Sequence, residues 1–171
     1  MKHFAEQSGR TRGFTLVEML IVIVILSILA TVAVPLLTGA DSFKSRAIGE
    51  RILDILAHAR LEAVKLGKPV TVQFDLVNAK VALVQFAGLD PLPTEPGGYT
   101  VDLPAEYQAK VVLTTTGLSN NRVTFRSDGS AVDSVSGALI GMDASIVNTV
   151  GEHSTLIQIN PITGLAAIIK Q

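Results

Sequence analysis

The sequence predicts an α+β protein. One long N-terminal helix, apolar in its first half and amphipathic in its second, packs on an antiparallel β-sheet domain. Three observations lead there. Residues 14–34 form the only long apolar run in the 171-residue chain, and Glu18 is its single charge. Residues 43–66 then repeat apolar side chains at intervals of three and four. From Pro69 onward the pattern changes to short alternating segments separated by Gly, Pro, Asn and Asp.

Composition narrows what such a chain can do. There is no cysteine, so no disulfide framework, thiol nucleophile or cysteine zinc site is available. The formal charge is −1, with 14 bases against 15 acids. Residues 1–13 carry Lys2, Arg10 and Arg12 against Glu6; without them 14 − 3 = 11 bases face 15 − 1 = 14 acids, or −3. An acidic remainder with six Phe, two Tyr and no Trp disfavours nucleic-acid binding, which needs basic stripes and stacking platforms.

The elements follow in chain order. Residues 1–13 form a short polar leader with a net charge of +2, which predicts a cytoplasmic N-terminus. Residues 14–35 are the expected transmembrane helix: at 1.5 Å per residue the apolar run spans about 32 Å, enough for a bilayer's hydrocarbon layer. A lone carboxylate such as Glu18 at the edge of a span is a functional candidate by default, although it can also simply snorkel to the interface. Pro35 lacks a backbone donor and either kinks the helix or marks its end. On residues alone, a secretory signal cut near Ala33 and an uncleaved signal anchor remain open beside a leader cut on the cytoplasmic side.

Residues 36–68 are the expected amphipathic helix. Residues 36–42 are a weak point, with Asp41 or Ser42 able to cap a renewed start. Phe43, Ala47, Ile48, Ile52, Ile55, Leu56, Ala59, Ala63 and Leu66 form the apolar stripe, with charged residues including Glu62 between them. Gly67 and Pro69 close the helix. Residues 69–171 read as the β-rich globular domain. Strands are expected at 70–75, 80–87, 109–115, 122–126, 130–133, 138–142, 155–160 and 165–170. Turns are expected at Ser127-Asp128-Gly129 and Thr163-Gly164. Residues 88–104 hold four of the seven prolines and read as a long loop, with a short extended piece near Tyr99.

No catalytic, cofactor or metal site is visible. His3, His58 and His153 share no metal-binding spacing, and no nucleophile elbow, Walker A or dinucleotide-binding run occurs. Asp128 reads as a turn residue rather than a catalytic acid. Lys80, Lys110, Arg122 and Arg126 could form a basic patch, but read more simply as solvated charges on strands. The chain is expected to be no enzyme and to need no cofactor.

Gly13-Phe14-Thr15-Leu16-Val17-Glu18, with Pro35 as residue 22 counted from Phe14, resembles the prepilin peptidase recognition site of type IV pilins and pseudopilins. Three further segments narrow the resemblance to the GspH/FimT pseudopilins: Ala59-Arg60-Leu61-Glu62-Ala63-Val64 before Pro69-Val70-Thr71-Val72, then Phe125-Arg126-Ser127-Asp128-Gly129, and then Ile157-Gln158-Ile159 with Thr163-Gly164. The resemblance implies a type IV pilin-like fold and cleavage between Gly13 and Phe14. It further implies N-methylation of Phe14 and an assembly role for Glu18 toward a neighbouring subunit's amine. The implied partners are the prepilin peptidase, other pseudopilins or pilins in a filament, and the inner-membrane assembly platform. The implied function is a minor pseudopilin of a type II secretion pseudopilus; the alternative is a minor type IV pilin acting in pilus assembly, adhesion or DNA uptake. The closing strand lacks a basic residue often seen after the last glycine, which counts against DNA binding.

Overall fold

A computed structural model describes residues 15–38, 40–85 and 99–170, with side chains described for 15–29, 40–84 and 99–169. The chain divides into two units, residues 1–39 and 40–171. In the first, helix α1 (Leu16–Thr38) has a single acid, Glu18, in its opening turn. Its described side chains are apolar and exposed on every side, from Leu16 at 83% to Leu29 at 59%. A helix apolar all round has no face for water and calls for burial on all sides. Among the described residues no helix is long and apolar enough to cross a membrane. The described side chains of α1 stop at Leu29, short of the roughly 20 residues a crossing takes. The helix does not end at Pro35; it continues to Thr38, and the side chain of Pro35 lies outside the described residues.

The second unit is built on α2 (Ala40–Leu66), which starts later than the expected residue 36. Its stripe of Ile48, Ile52, Ile55, Leu56, Ala59 and Ala63 is almost fully buried. Phe43 and Leu66, also expected on that stripe, are 75% and 40% exposed, because they lie beyond the ends of the sheets that cover it. Glu62 departs in the other direction. It was expected on the polar face but is buried, with Lys65 3.2 Å from one oxygen.

The strands are β1 (Val70–Asp75), β2 (Lys80–Gln85), β3 (Tyr99–Asp102), β4 (Val111–Thr116), β5 (Arg122–Phe125), β6 (Ala131–Asp133), β7 (Ser145–Val150), β8 (His153–Ile159) and β9 (Ala166–Lys170). They form two antiparallel sheets, β3-β2-β1-β5-β6 and β4-β7-β8-β9. Helix α2 packs on both, against β1 and β5 of the first and β7, β8 and β9 of the second. Inward side chains of the first sheet include Val70, Val72, Phe74, Val81, Val123 and Phe125, and those of the second include Ile146, Ile157 and Ile159. At about 25 cal/mol per Å² of apolar surface, this shared core is the main source of stability.

Three local departures from expectation have physical causes. Residues 99–104 are not loop: Tyr99–Asp102 pairs with β2, and Asp102 caps the short helix α3 (Leu103–Tyr107) by accepting from Ala105 N–H at 3.2 Å. Pro104 sits in the first turn of α3, where its missing donor costs nothing. The remainder of the proline-rich loop, residues 86–98, lies outside the described residues. Residues 138–142 form no strand; only Leu139 bridges to Val132. The expected set also missed β7, which occupies the middle of the second sheet.

Candidate functional site: the head of α1 and the junctions of the globular unit

Thr15 precedes the first helical residue, and its Oγ1 accepts the backbone N–H of Glu18 at 3.2 Å. Its carbonyl also accepts from Met19 N–H. Thr15-Leu16-Val17-Glu18 therefore has the spacing of a capping box, with Thr at the cap and Glu at the third helical position. The Glu18 side chain is exposed and sits where a helix's partial positive charge favours an acid. Its position has two physical grounds: it suits the helix start, and it leaves a carboxylate free to face a cation from outside. Gly13 and Phe14, the expected cleavage and methylation positions, lie outside the described residues.

In the globular unit, the segments that carried the family resemblance converge in space. Arg60 Nε lies 2.8 Å from the Thr163 carbonyl and 3.3 Å from that of Gly129. One guanidinium on α2 thus holds the tips of the β5–β6 and β8–β9 hairpins, which belong to different sheets. Ala131 N–H donates to the Pro161 carbonyl at 2.9 Å across the same junction. Gly164 has φ +64°, and a Cβ there would collide with the Gly129 carbonyl, so both conformation and space demand glycine.

A second junction lies nearer the start of α2. Asn148, fully buried on β7, donates from Nδ2 to the Ser45 carbonyl at 2.9 Å. The Ser45 and Thr155 hydroxyls are 3.0 Å apart. One turn further along α2, a Cβ on Gly49 would lie 2.7 Å from Thr155 Cγ2, so glycine lets the helix approach β8 closely. Neither junction was singled out from the sequence. Asn148 in an alternating run was the available signal for an inward polar anchor.

The charged candidates do not assemble into one patch. Lys80 pairs with Asp102 at 2.8 Å, which raises the lysine's pKa and lowers the aspartate's. Arg126 donates to the Gly137 carbonyl at 2.5 Å. Lys110 precedes β4 of the other sheet. Asp128 accepts from Ser130 N–H and Oγ at 2.8 and 2.6 Å and serves its turn. His58 lies against the Tyr99 ring, with centroids 5.6 Å apart. Among the described residues, no group of His, Asp or Glu could hold a metal ion.

A single helix apolar on all sides, followed by an amphipathic helix cradled by antiparallel sheets, defines the architecture of a pilin-like subunit. Residues 49–163 match the family Type II transport protein GspH, and residues 9–34 match the prokaryotic N-terminal methylation motif. The chain belongs to the GspH family. Its fold is similar to that of the minor pseudopilin EpsH from the type 2 secretion system of Vibrio cholerae, with a TM-score of 0.54 and 11% identity over 74% of this chain and 97% of that one. It is also similar to the type IV minor pilin FimU of Pseudomonas aeruginosa, with a TM-score of 0.52 and 16% identity over 74% of this chain and 87% of that one. No curated protein sequence matches the chain significantly. The expected GspH/FimT membership and α+β fold class therefore hold.

Proposed function

We propose that this chain is a minor pseudopilin, a structural subunit of a type II secretion pseudopilus that supports export of folded proteins. The observation that carries the reading is the pairing of a GspH-family domain with an N-terminal methylation motif on one chain. The precursor inserts with its N-terminus in the cytoplasm and its globular domain outside the inner membrane. Prepilin peptidase cuts between Gly13 and Phe14 and methylates the new amine. Cleavage leaves Thr15 as the second residue of the mature chain, so the amine of Phe14 lies just outside the cap that starts α1. Glu18 then offers its carboxylate to the amine of a neighbouring subunit. A charge pair removed from water holds only while both partners are present, so such a pair supplies register. Transfer of α1 from lipid to a bundle of like helices exchanges one apolar surrounding for another. A bend at Pro35 would adjust that packing. The role is mechanical rather than catalytic, and assembly runs through the inner-membrane platform.

The second reading, a minor type IV pilin, draws on the fold likeness to FimU. Deleting the chain in its native cell separates the two. Loss of exoprotein release with normal surface pili supports the pseudopilus; normal release with lost piliation, adhesion or DNA uptake supports the pilus.

A further inference from the structure

Phe43 breaks the pattern of its own helix. It belongs to the apolar stripe by spacing, yet it is 75% exposed in the opening turns of α2. With Ser45, Arg46 and His153 it lines a shallow depression of about 170 Å³. A larger groove of about 540 Å³, lined by Asp41, Lys44, Lys110 and Gly151 among others, opens at the same end of the unit. The charged groups there balance: Lys44, Arg46 and Lys110 face Asp41, Glu50 and Glu152, with Arg46 and Glu50 3.0 Å apart. Neither a cationic nor an anionic partner is selected. What distinguishes the place is a bare aromatic ring on a neutral rim.

The chain's own layout indicates what meets that ring. With Glu18 at the inner boundary, residues 19–37 give roughly 28 Å of helix, close to the thickness of a bilayer's hydrocarbon layer. Phe43 comes six residues later, roughly 9 Å of helix, at the level of the outer headgroups. Helical side chains lean toward their N-terminus, so the ring leans back along the chain toward the anchor. Aromatic rings favour that layer of a membrane. We infer that Phe43 seats the globular unit on the outer surface of the phospholipid bilayer before the subunit enters a filament. This rests on the reading of α1 as a membrane helix.

The chain has no tryptophan, so a single introduced Trp reports its own surroundings. The full chain is reconstituted in phosphatidylethanolamine/phosphatidylglycerol vesicles with and without brominated acyl chains, as three variants. Leu26→Trp reports whether α1 is in lipid, and Phe43→Trp reports the proposed contact. Ile162→Trp sits on the hairpin held by Arg60, roughly 17 helix positions and 25 Å along α2 from Phe43. The expected result is quenching of Leu26→Trp and Phe43→Trp, an emission shift of Phe43→Trp to shorter wavelength, and an unquenched Ile162→Trp. Because the rim is neutral, raising the salt should leave the Phe43→Trp signal unchanged. Quenching of Leu26→Trp with Phe43→Trp emitting like Ile162→Trp overturns the lipid contact and leaves the anchor intact. A shifted but unquenched Phe43→Trp assigns the ring to a second protein chain and also overturns it. An unquenched Leu26→Trp removes the membrane reading itself, and this inference with it.

Discussion

Thr15 caps the helix that Glu18 enters, its hydroxyl accepting the Glu18 amide at 3.2 Å. The carboxylate proposed for assembly is thereby fixed one turn inside a helix whose first residue is set by its neighbour. Substituting the cap by Thr15→Ala should weaken the helix start by about 1 kcal/mol and let the Glu18 position fray. Replacing the acid by Glu18→Val should leave membrane insertion intact and lower recovery in filaments by about tenfold or more, since an unpaired amine in the bundle is costly. Membrane and sheared-filament fractions measure the two quantities separately. Equal recovery of Glu18→Val in filaments would remove the register argument.

The cleavage position tolerates only a small side chain if a protease cleft must accept it closely. Gly13→Ala should still mature in part, whereas Gly13→Arg should remain uncut. Electrophoretic separation of precursor from mature chain reads both outcomes.

Arg60 joins two hairpin tips from different sheets, so its loss should loosen their junction rather than either hairpin alone. Arg60→Ala should cost about 1.5–3 kcal/mol, the range for hydrogen bonds from a charged donor. For a chain of this size that lowers Tm by roughly 4–9 °C. Arg60→Lys should recover only part of the loss, because an ammonium reaches both carbonyls less well than a planar fork. Thermal denaturation followed by circular dichroism tests the series.

Gly49 and Thr155 set how closely α2 approaches β8. Gly49→Ala gains helix propensity of about 1 kcal/mol but places a Cβ 2.7 Å from Thr155 Cγ2. Overpacking of that kind costs about 1–3 kcal/mol, so the net effect should be destabilising. Thr155→Ser removes the methyl and keeps the hydroxyl that meets Ser45. In that background Gly49→Ala should become neutral or stabilising, and a double-mutant cycle measures the reversal.

Asp133 is held well below its usual pKa by the Ser119 side chain and then by the Ser136 amide, opposed by partial burial, with further help from the Ser136 hydroxyl and the Val135 amide. A carboxyl whose pKa is lower folded than unfolded adds stability above its unfolded value of 3.8 and loses it as pH falls through the folded value. Asp133→Ala should therefore be less stable than the native chain at neutral pH, by about 1–2 kcal/mol. The difference should shrink steadily once the pH drops below about 4. Denaturation midpoints at pH 7, 5 and 3 trace that convergence.

The helices and hairpin tips were the legible part of this chain. Ile48, Ile52, Ile55 and Ala59 keep one helical period and are buried together, and Asp128-Gly129 and Thr163-Gly164 are turns by local chemistry. Strand β7 escaped because its inward row is Ile146, Asn148, Val150, and Asn148 breaks the apolar alternation. Its partner is Ser45, 103 residues earlier, which no local pattern reveals. Residues 138–142 misled in the opposite way: they are apolar enough for a strand but bounded by Gly137 and Gly141. Pro104 looked like loop composition until Asp102 was seen to cap the turn it begins. The division into two sheets was equally hidden, because it depends on which distant strands pair. Of the proposed site, Glu18 was visible as a charge in an apolar run. The Thr15 cap has a capping-box signature that sequence alone could have supplied.

Intact mass and N-terminal sequencing of the chain purified from its native membrane test the central claim most directly. The account predicts a mature chain lacking residues 1–13 and beginning at N-methylated Phe14. An intact Met1, or a cut near Ala33, would contradict it.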